Sequence, residues 1–97
     1  MMNMGGESVV IDGTGGAVAT TTIVPVNVVN GRGRSTFARR LVFRNEGPTN
    51  NLMVSLGSTV FTTIAPGASL EIYGPISQFL VKSSAATTAW TAIATVA

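Results

Sequence analysis

Short runs in which apolar and polar residues alternate, each closed by turn-forming residues, recur along the chain. The clearest is LMVSL at 52 to 56, where Leu52, Val54 and Leu56 fall on one side and Met53 and Ser55 on the other. That period of two is the signature of a half-buried strand. LEIY at 70 to 73 alternates in the same way, with Leu70 and Ile72 set against Glu71 and Tyr73. Leu52, Val54, Leu56, Leu70 and Ile72 therefore predict one buried face. In FARRLVFR, Phe37, Leu41 and Phe43 share a phase with Arg40 and Arg44 opposite, and Arg39 breaks it. VFTTI at 60 to 64 and FLVKS at 79 to 83 are further extended runs, and the Thr/Ala-rich stretch from Ala85 to Ala97 alternates weakly around Trp90.

The segments between these runs are rich in residues that bend the chain: NGRGRS (30 to 35), NEGPTN (45 to 50), Gly57 and Ser58, APGAS (65 to 69) and GPIS (74 to 77). From Ala17 to Asn30 the β-branched residues dominate and favour extended backbone. Pro25 has no N–H to give to a ladder, so this run is an edge strand or is broken in two there. About eight extended runs with turns between them and no helical period predict an all-β fold, a small antiparallel β-sandwich or barrel of jelly-roll type. Residues 17 to 97 are expected to form its single domain. In residues 1 to 16 a short apolar run, Val9, Val10 and Ile11, lies between glycine clusters, which predicts an extended N-terminal arm or edge strand that orders against a partner.

Composition turns attention to the surface. Of the 97 residues 45% are hydrophobic and only 10% charged, where about 25% charged is usual. Interface cores are poor in charge, so much of the outer surface is expected to be covered by protein. The chain lacks a basic-then-apolar leader and any run of about 18 apolar residues. It is accordingly read as soluble, made in the cytoplasm and not held in a membrane.

Candidate chemistry is sparse. With neither histidine nor cysteine, the commonest general base and the thiolate ligands are both missing. The carboxylates are Glu7, Asp12, Glu46 and Glu71, all in or beside turns and edge runs, where solvated carboxylates are ordinary. DGTGG at 12 to 16 is short of acidic ligands for a calcium loop, and no phosphate-loop lysine follows it. No catalytic, metal-binding or cofactor-binding residue is expected, and the protein is read as a non-enzyme.

The feature above background is basic. Arg32, Arg34, Arg39, Arg40 and Arg44 lie within thirteen residues with no acid among them. A guanidinium fork suits phosphate or carboxylate. A net charge of +2 and few nearby aromatic rings favour acidic groups of a neighbouring subunit over nucleic acid. With Val9, Val10, Ile11 and Trp90, these arginines make up the predicted protein interface.

From Leu41 to Val96 the order of motifs resembles a small virion module of tailed bacteriophages. The matching segments are LVFRNEG (41 to 47), LMVSLG (52 to 57), APGASLEI (65 to 72), FLVKSS (79 to 84) and the closing TAWTAIATV. The resemblance covers rather more than half the chain and brings no catalytic residues. The first forty residues, which hold four of the five arginines, do not follow it. It implies a virion structural protein, most simply a capsid decoration or cementing protein that binds across junctions of the major capsid protein or other virion subunits. Self-association is expected as well, with a homotrimer as the first expectation by analogy. The alternative is a tail or fibre module that binds glycan through Trp90 or Tyr73.

Overall fold

The computed structural model describes residues 7–11, 18–57 and 59–96. Nine strands follow one another along these residues: β1 (Glu7–Ile11), β2 (Val18–Ala19), β3 (Val24–Asn27), β4 (Ala38–Asn45), β5 (Leu52–Ser55), β6 (Thr62–Ile64), β7 (Ser69–Ile76), β8 (Gln78–Ser83) and β9 (Thr88–Val96). The expected arm is represented by β1, which pairs with β9 from Glu7 opposite Val96 to Ile11 opposite Ala92. Residues 1–6 and 12–16 of that arm lie outside the described residues.

Two antiparallel sheets face each other. One has the order β1-β9-β4-β7 with β2 also on β9, and the other the order β3-β8-β5-β6. β1 covers Ala92 to Val96 and β2 covers Thr88 and Ala89, so the two lie end to end along one edge of β9. Taking them as one interrupted strand, the two orders are those of a jelly roll, in which successive strands mostly cross between sheets. Pro25 sits in β3 at the edge of the four-stranded sheet, where its missing N–H removes no ladder bond.

The core lies between the sheets. Leu41 and Phe43 of β4 and Trp90, Ala92, Ala94 and Val96 of β9 meet Leu52, Val54, Phe79 and Val81 from the facing sheet. The Phe79 ring is the centre of an edge-to-face chain, 4.9 Å from Phe43 and 5.9 Å from Trp90. This arrangement satisfies the ring quadrupoles while filling the gap between sheets. Leu70 and Ile72 pack against this core from the edge strand β7 and are half-buried.

Three expectations need correction. Phe37, placed in phase with Leu41 and Phe43, is 57% exposed. The reason is a bulge: β4 pairs with β9 through Ala38 opposite Val96 and then Arg40 opposite Thr95, so Arg39 is an extra residue. A bulge of this kind shifts the alternation by one, so Ala38 takes the inward position and Phe37 turns out. Leu56 is 50% exposed, whereas Ser55, expected outward, is buried. β5 ends at Ser55, whose hydroxyl accepts the Gly57 N–H at 3.3 Å, and the chain is already turning at Leu56. Trp90, predicted in the interface, is 3% exposed and stacked into the core, so it reaches neither a partner nor a sugar.

At one end of the sandwich the connections converge on Asn45, the last residue of β4. Its backbone N–H donates to Ala68 O at 3.1 Å and its carbonyl accepts the Gly67 N–H at 2.9 Å. Its side-chain NH2 donates to Asn50 O at 2.8 Å and Ile64 O at 2.9 Å. Its Oδ1 accepts the Gly47 N–H at 3.0 Å and the Thr88 hydroxyl at 2.6 Å. A buried amide is tolerated when its bonding capacity is used in this way.

Candidate interaction surface

Alternation along the strands leaves the second face of the five-stranded sheet turned to solvent. Register across β7, β4 and β9 sets its side chains in rows: Tyr73, Arg40 and Thr95; then Glu71, Val42 and Ile93; then Ser69, Arg44 and Thr91. The middle row has a half-buried Val42 beside an exposed Ile93. The outer rows are polar, and their hydrogen bonds run to Glu71 and Glu46.

Arg40 donates its Nε–H to Glu71 Oε2 across β4 and β7. Tyr73 donates its hydroxyl to Glu71 Oε1 at 2.9 Å. These two bonds, the Tyr73 hydroxyl first and the Arg40 guanidinium second, hold the Glu71 carboxyl below the ordinary carboxylate range, and the hydrogen bond to Glu71, followed by its charge, pushes the Tyr73 phenol up. At the other end Arg44 Nε donates to Glu46 Oε1 at 3.1 Å, and Thr91 donates to Glu46 Oε2 at 3.0 Å. All four charged groups are on the surface, where such pairs are screened by water. Their main effect is to orient side chains and to leave the face with little net charge.

The five arginines of the predicted interface thus fall on two elements. Arg39, Arg40 and Arg44 are exposed on β4. Arg32 and Arg34 are exposed on the preceding turn, where Asn30 Oδ1 accepts both of their backbone N–H groups at 2.8 and 3.1 Å. Val9, Val10 and Ile11 lie on the edge strand β1, and the surroundings of their side chains are outside the described part of the molecule. Sequence reasoning missed the exposed apolar side chains Ile23, Val24, Leu56, Val60 and Ile93. Each lies in a run read as strand, but Ile93 takes the outward phase of the central strand β9, Val24 lies on the edge strand β3, and Ile23, Leu56 and Val60 fall outside the strands.

On the second face of the other sheet, Lys82 stands 4.6 Å from the centre of the Phe61 ring, a cation–π contact that leaves its charge near the surface. Among the described residues no group of three or more acidic, histidine or cysteine side chains is placed to hold a metal ion. A shallow, open depression of about 300 Å³ is lined by Arg39, Arg40, Tyr73 and Thr95, beside the bulge. Tyr73, at 70% exposed, forms its most prominent side.

No known protein family and no curated protein sequence matches the chain. Among solved structures it is similar to a protein of unknown function, VPA0057 from Vibrio parahaemolyticus, with a TM-score of 0.52 and 16% identity over 96% of this chain and 80% of that one. It is also similar to a de novo designed double-stranded β-helix, with a TM-score of 0.47 and 15% identity over 91% and 94% of the two chains. A third structure, the hydroxypropylphosphonic acid epoxidase from S. wedmorenis, gives a TM-score of 0.46 and 12% identity over 74% of this chain and 40% of that one. At such identity the likeness to the Vibrio protein bears on fold alone.

Proposed function

We propose that the protein is a virion structural component of a tailed bacteriophage, a decoration or cementing protein that binds across major capsid subunits and associates with copies of itself. The observation that carries this reading is the surface. Arg40 with Glu71 and Arg44 with Glu46 neutralise each other on the outer sheet face, while Ile23, Val24, Phe37, Leu56 and Ile93 stand in solvent. A free monomer gains nothing from such a surface, but a subunit that buries it does. The order of motifs from Leu41 to Val96 supports a virion setting, and no reaction is part of the proposal.

The test is co-sedimentation of the purified protein with assembled shells lacking it, followed by electron microscopy of the particles, with light scattering of the free protein across a dilution series. Binding at defined shell positions and concentration-dependent association are expected. A strictly monomeric protein that leaves shells bare would sink the proposal.

One observation favours a second reading, a glycan-binding module of a tail or fibre. Tyr73 offers a solvent-facing ring within a depression, which Trp90 does not.

A further inference from the structure

Which backbone groups of β7 stay unpaired follows from its register with β4. The Asn45 N–H donates to Ala68 O, and the Glu46 N–H, on the opposite side of β4, donates to Ala89 O. In an antiparallel ladder successive residues of a strand direct their N–H and C=O to alternate sides. Counted from Asn45, the residues of β4 that bond to β7 are Phe43, opposite Leu70, and Leu41, opposite Ile72. Ser69, Glu71 and Tyr73 therefore turn their N–H and C=O away from β4. Among the described residues no strand pairs with β7 on that side.

The other sheet edges are blunted. β6 has three residues, β3 has four with Pro25 among them, and β1 and β2 divide one edge into pieces of five and two. Short strands and proline are common protection for an edge. β7 has eight residues and no cation, and Gly74 and Pro75 stand only toward one end of it. Its single charge, Glu71, is taken up by Arg40 and Tyr73. Ser69 to Tyr73 thus form an open template. On the core side of this stretch Leu70 and Ile72 are only half-buried, so a strand laid beside them also extends the core.

Register decides whether a second copy fits. Antiparallel pairing of β7 with itself about a two-fold axis has to set outward-facing residues opposite outward-facing ones. An axis at Glu71 would set that carboxylate opposite its own copy, and like charges directly opposite are destabilising. An axis at Leu70 would carry Tyr73 opposite Gly67, which lies outside the strand in a turn with φ 77°. An axis at Ile72 sets Glu71 of each copy opposite Tyr73 of the other, an acid facing a hydroxyl. It also brings the two Ile72 side chains together in a non-hydrogen-bonded pair, the kind in which side chains lie closer.

We infer that two copies of the chain pair antiparallel through β7 about a two-fold axis at Ile72, so that their five-stranded sheets run on as one. Each Glu71–Tyr73 pair exchanges both of its N–H···O bonds, and the Ile72 contact closes the gap on the core side. The inference rests on the self-association proposed above and adds its surface and geometry, a two-fold contact where analogy suggested a trimer.

The experiment follows the unaltered protein by sedimentation and by amide hydrogen exchange over a dilution series. A dimer is expected, with the Glu71 and Tyr73 N–H groups exchanging about tenfold more slowly once roughly nine-tenths of the chains are paired, because exchange then runs through the unpaired remainder. The chain has no cysteine, so Ile72→Cys and Leu70→Cys under mild oxidation test the register. A non-hydrogen-bonded pair holds its Cα atoms about 4.5 Å apart, within disulfide reach. Ile72→Cys is expected to form a covalent dimer and Leu70→Cys to stay reduced. Any other pattern of cross-linking overturns the axis. Association that leaves the Glu71 and Tyr73 N–H groups exchanging as in the monomer overturns the β7 pairing and leaves self-association standing, whereas a monomer at every concentration removes both. The exchange measurement uses the unaltered protein and so does not depend on any variant folding.

Discussion

The Thr88 hydroxyl donates to Asn45 Oδ1 at 2.6 Å and ties the first residue of β9 to the last residue of β4. Gly47 closes the same corner, since a Cβ there would stand 2.0 Å from the Thr88 hydroxyl oxygen. The RNEG segment at 44 to 47 thus has a local physical cause. Asn45 gathers the connections at this end of the sandwich, and Gly47 leaves room for Thr88 to reach it.

The corner should therefore behave as a coupled unit. Thr88→Val, which takes away one of the two donors to the buried Asn45 Oδ1, should cost about 1 kcal/mol. Gly47→Ala should cost at least as much through the clash. The double variant Gly47→Ala with Thr88→Ala should cost less than the sum of its single changes, because removing the hydroxyl relieves part of the clash. Chemical denaturation of the four proteins measures this, and strict additivity would refute the coupling.

The bulge makes a second contrast. Phe37 and Phe79 are both phenylalanines, but only Phe79 is buried between Phe43 and Trp90. Phe79→Ala should cost about 3–5 kcal/mol, and Phe37→Ala within about 0.5 kcal/mol of nothing. Leu56→Ala should likewise be mild beside Leu52→Ala. If Phe37→Ala unfolds the protein as readily as Phe79→Ala, the phase shift at Arg39 is wrong. Trp90 gives an independent reading, with blue-shifted emission and weak quenching by iodide expected for a buried indole.

How far the fold was legible depended on where side-chain contrast existed. Leu52, Val54, Leu70 and Ile72 stand against polar or unbranched neighbours, and their phase was plain from the pattern. In β9 the inward residues include Ala92 and Ala94 among threonines, a contrast too weak to mark a central core strand. Arg39 appeared as a break in the pattern of β4, but a break alone does not say which side of it keeps the phase. Pairing was less legible still, because β4 joins β9 across about fifty residues of chain and no local signal encodes such a partner. The arginines were visible as a cluster in sequence, but their division between a turn and a strand face, and the Glu71 carboxylate facing Arg40 across the sheet, follow from topology. Tyr73 matters through its neighbours across the sheet, and those neighbours come from distant segments.

Titration separates the groups around Tyr73. The Glu71 carboxyl is held low in the folded protein, so the unfolded chain binds the extra proton first as pH falls. Its contribution is full above the ordinary carboxylate value and is lost as pH drops through the depressed one. The Tyr73 phenol is held high, so its contribution is full below the ordinary phenol value and is lost as pH rises through the raised one. Both groups are exposed, which makes the NMR midpoint the sensitive readout. Tyr73→Phe and Arg40→Gln should each move the Glu71 midpoint up toward the ordinary value, because the hydroxyl bond and the guanidinium both hold it low. A midpoint that Tyr73→Phe leaves unmoved would assign the whole shift to the guanidinium.

The last expectation concerns nucleic acid. Five arginines on one short segment invite it, but Arg40 and Arg44 already face Glu71 and Glu46. A phosphate would have to displace a carboxylate at each of these positions, at no net gain in pairing. Arg32 and Arg34 lie instead on a separate turn, both exposed. Neutralising the two phosphates within reach of that turn corresponds to a slope of log affinity against log salt no steeper than about −1.8. Duplex and single-stranded DNA titrated at two salt concentrations should therefore show weak binding with a shallow slope. The variants Glu46→Gln and Glu71→Gln, which release Arg44 and Arg40, should steepen it. Tight binding by the unaltered protein, with a slope beyond that limit, would mean that the ion pairs open for phosphate and that the surface is built for nucleic acid.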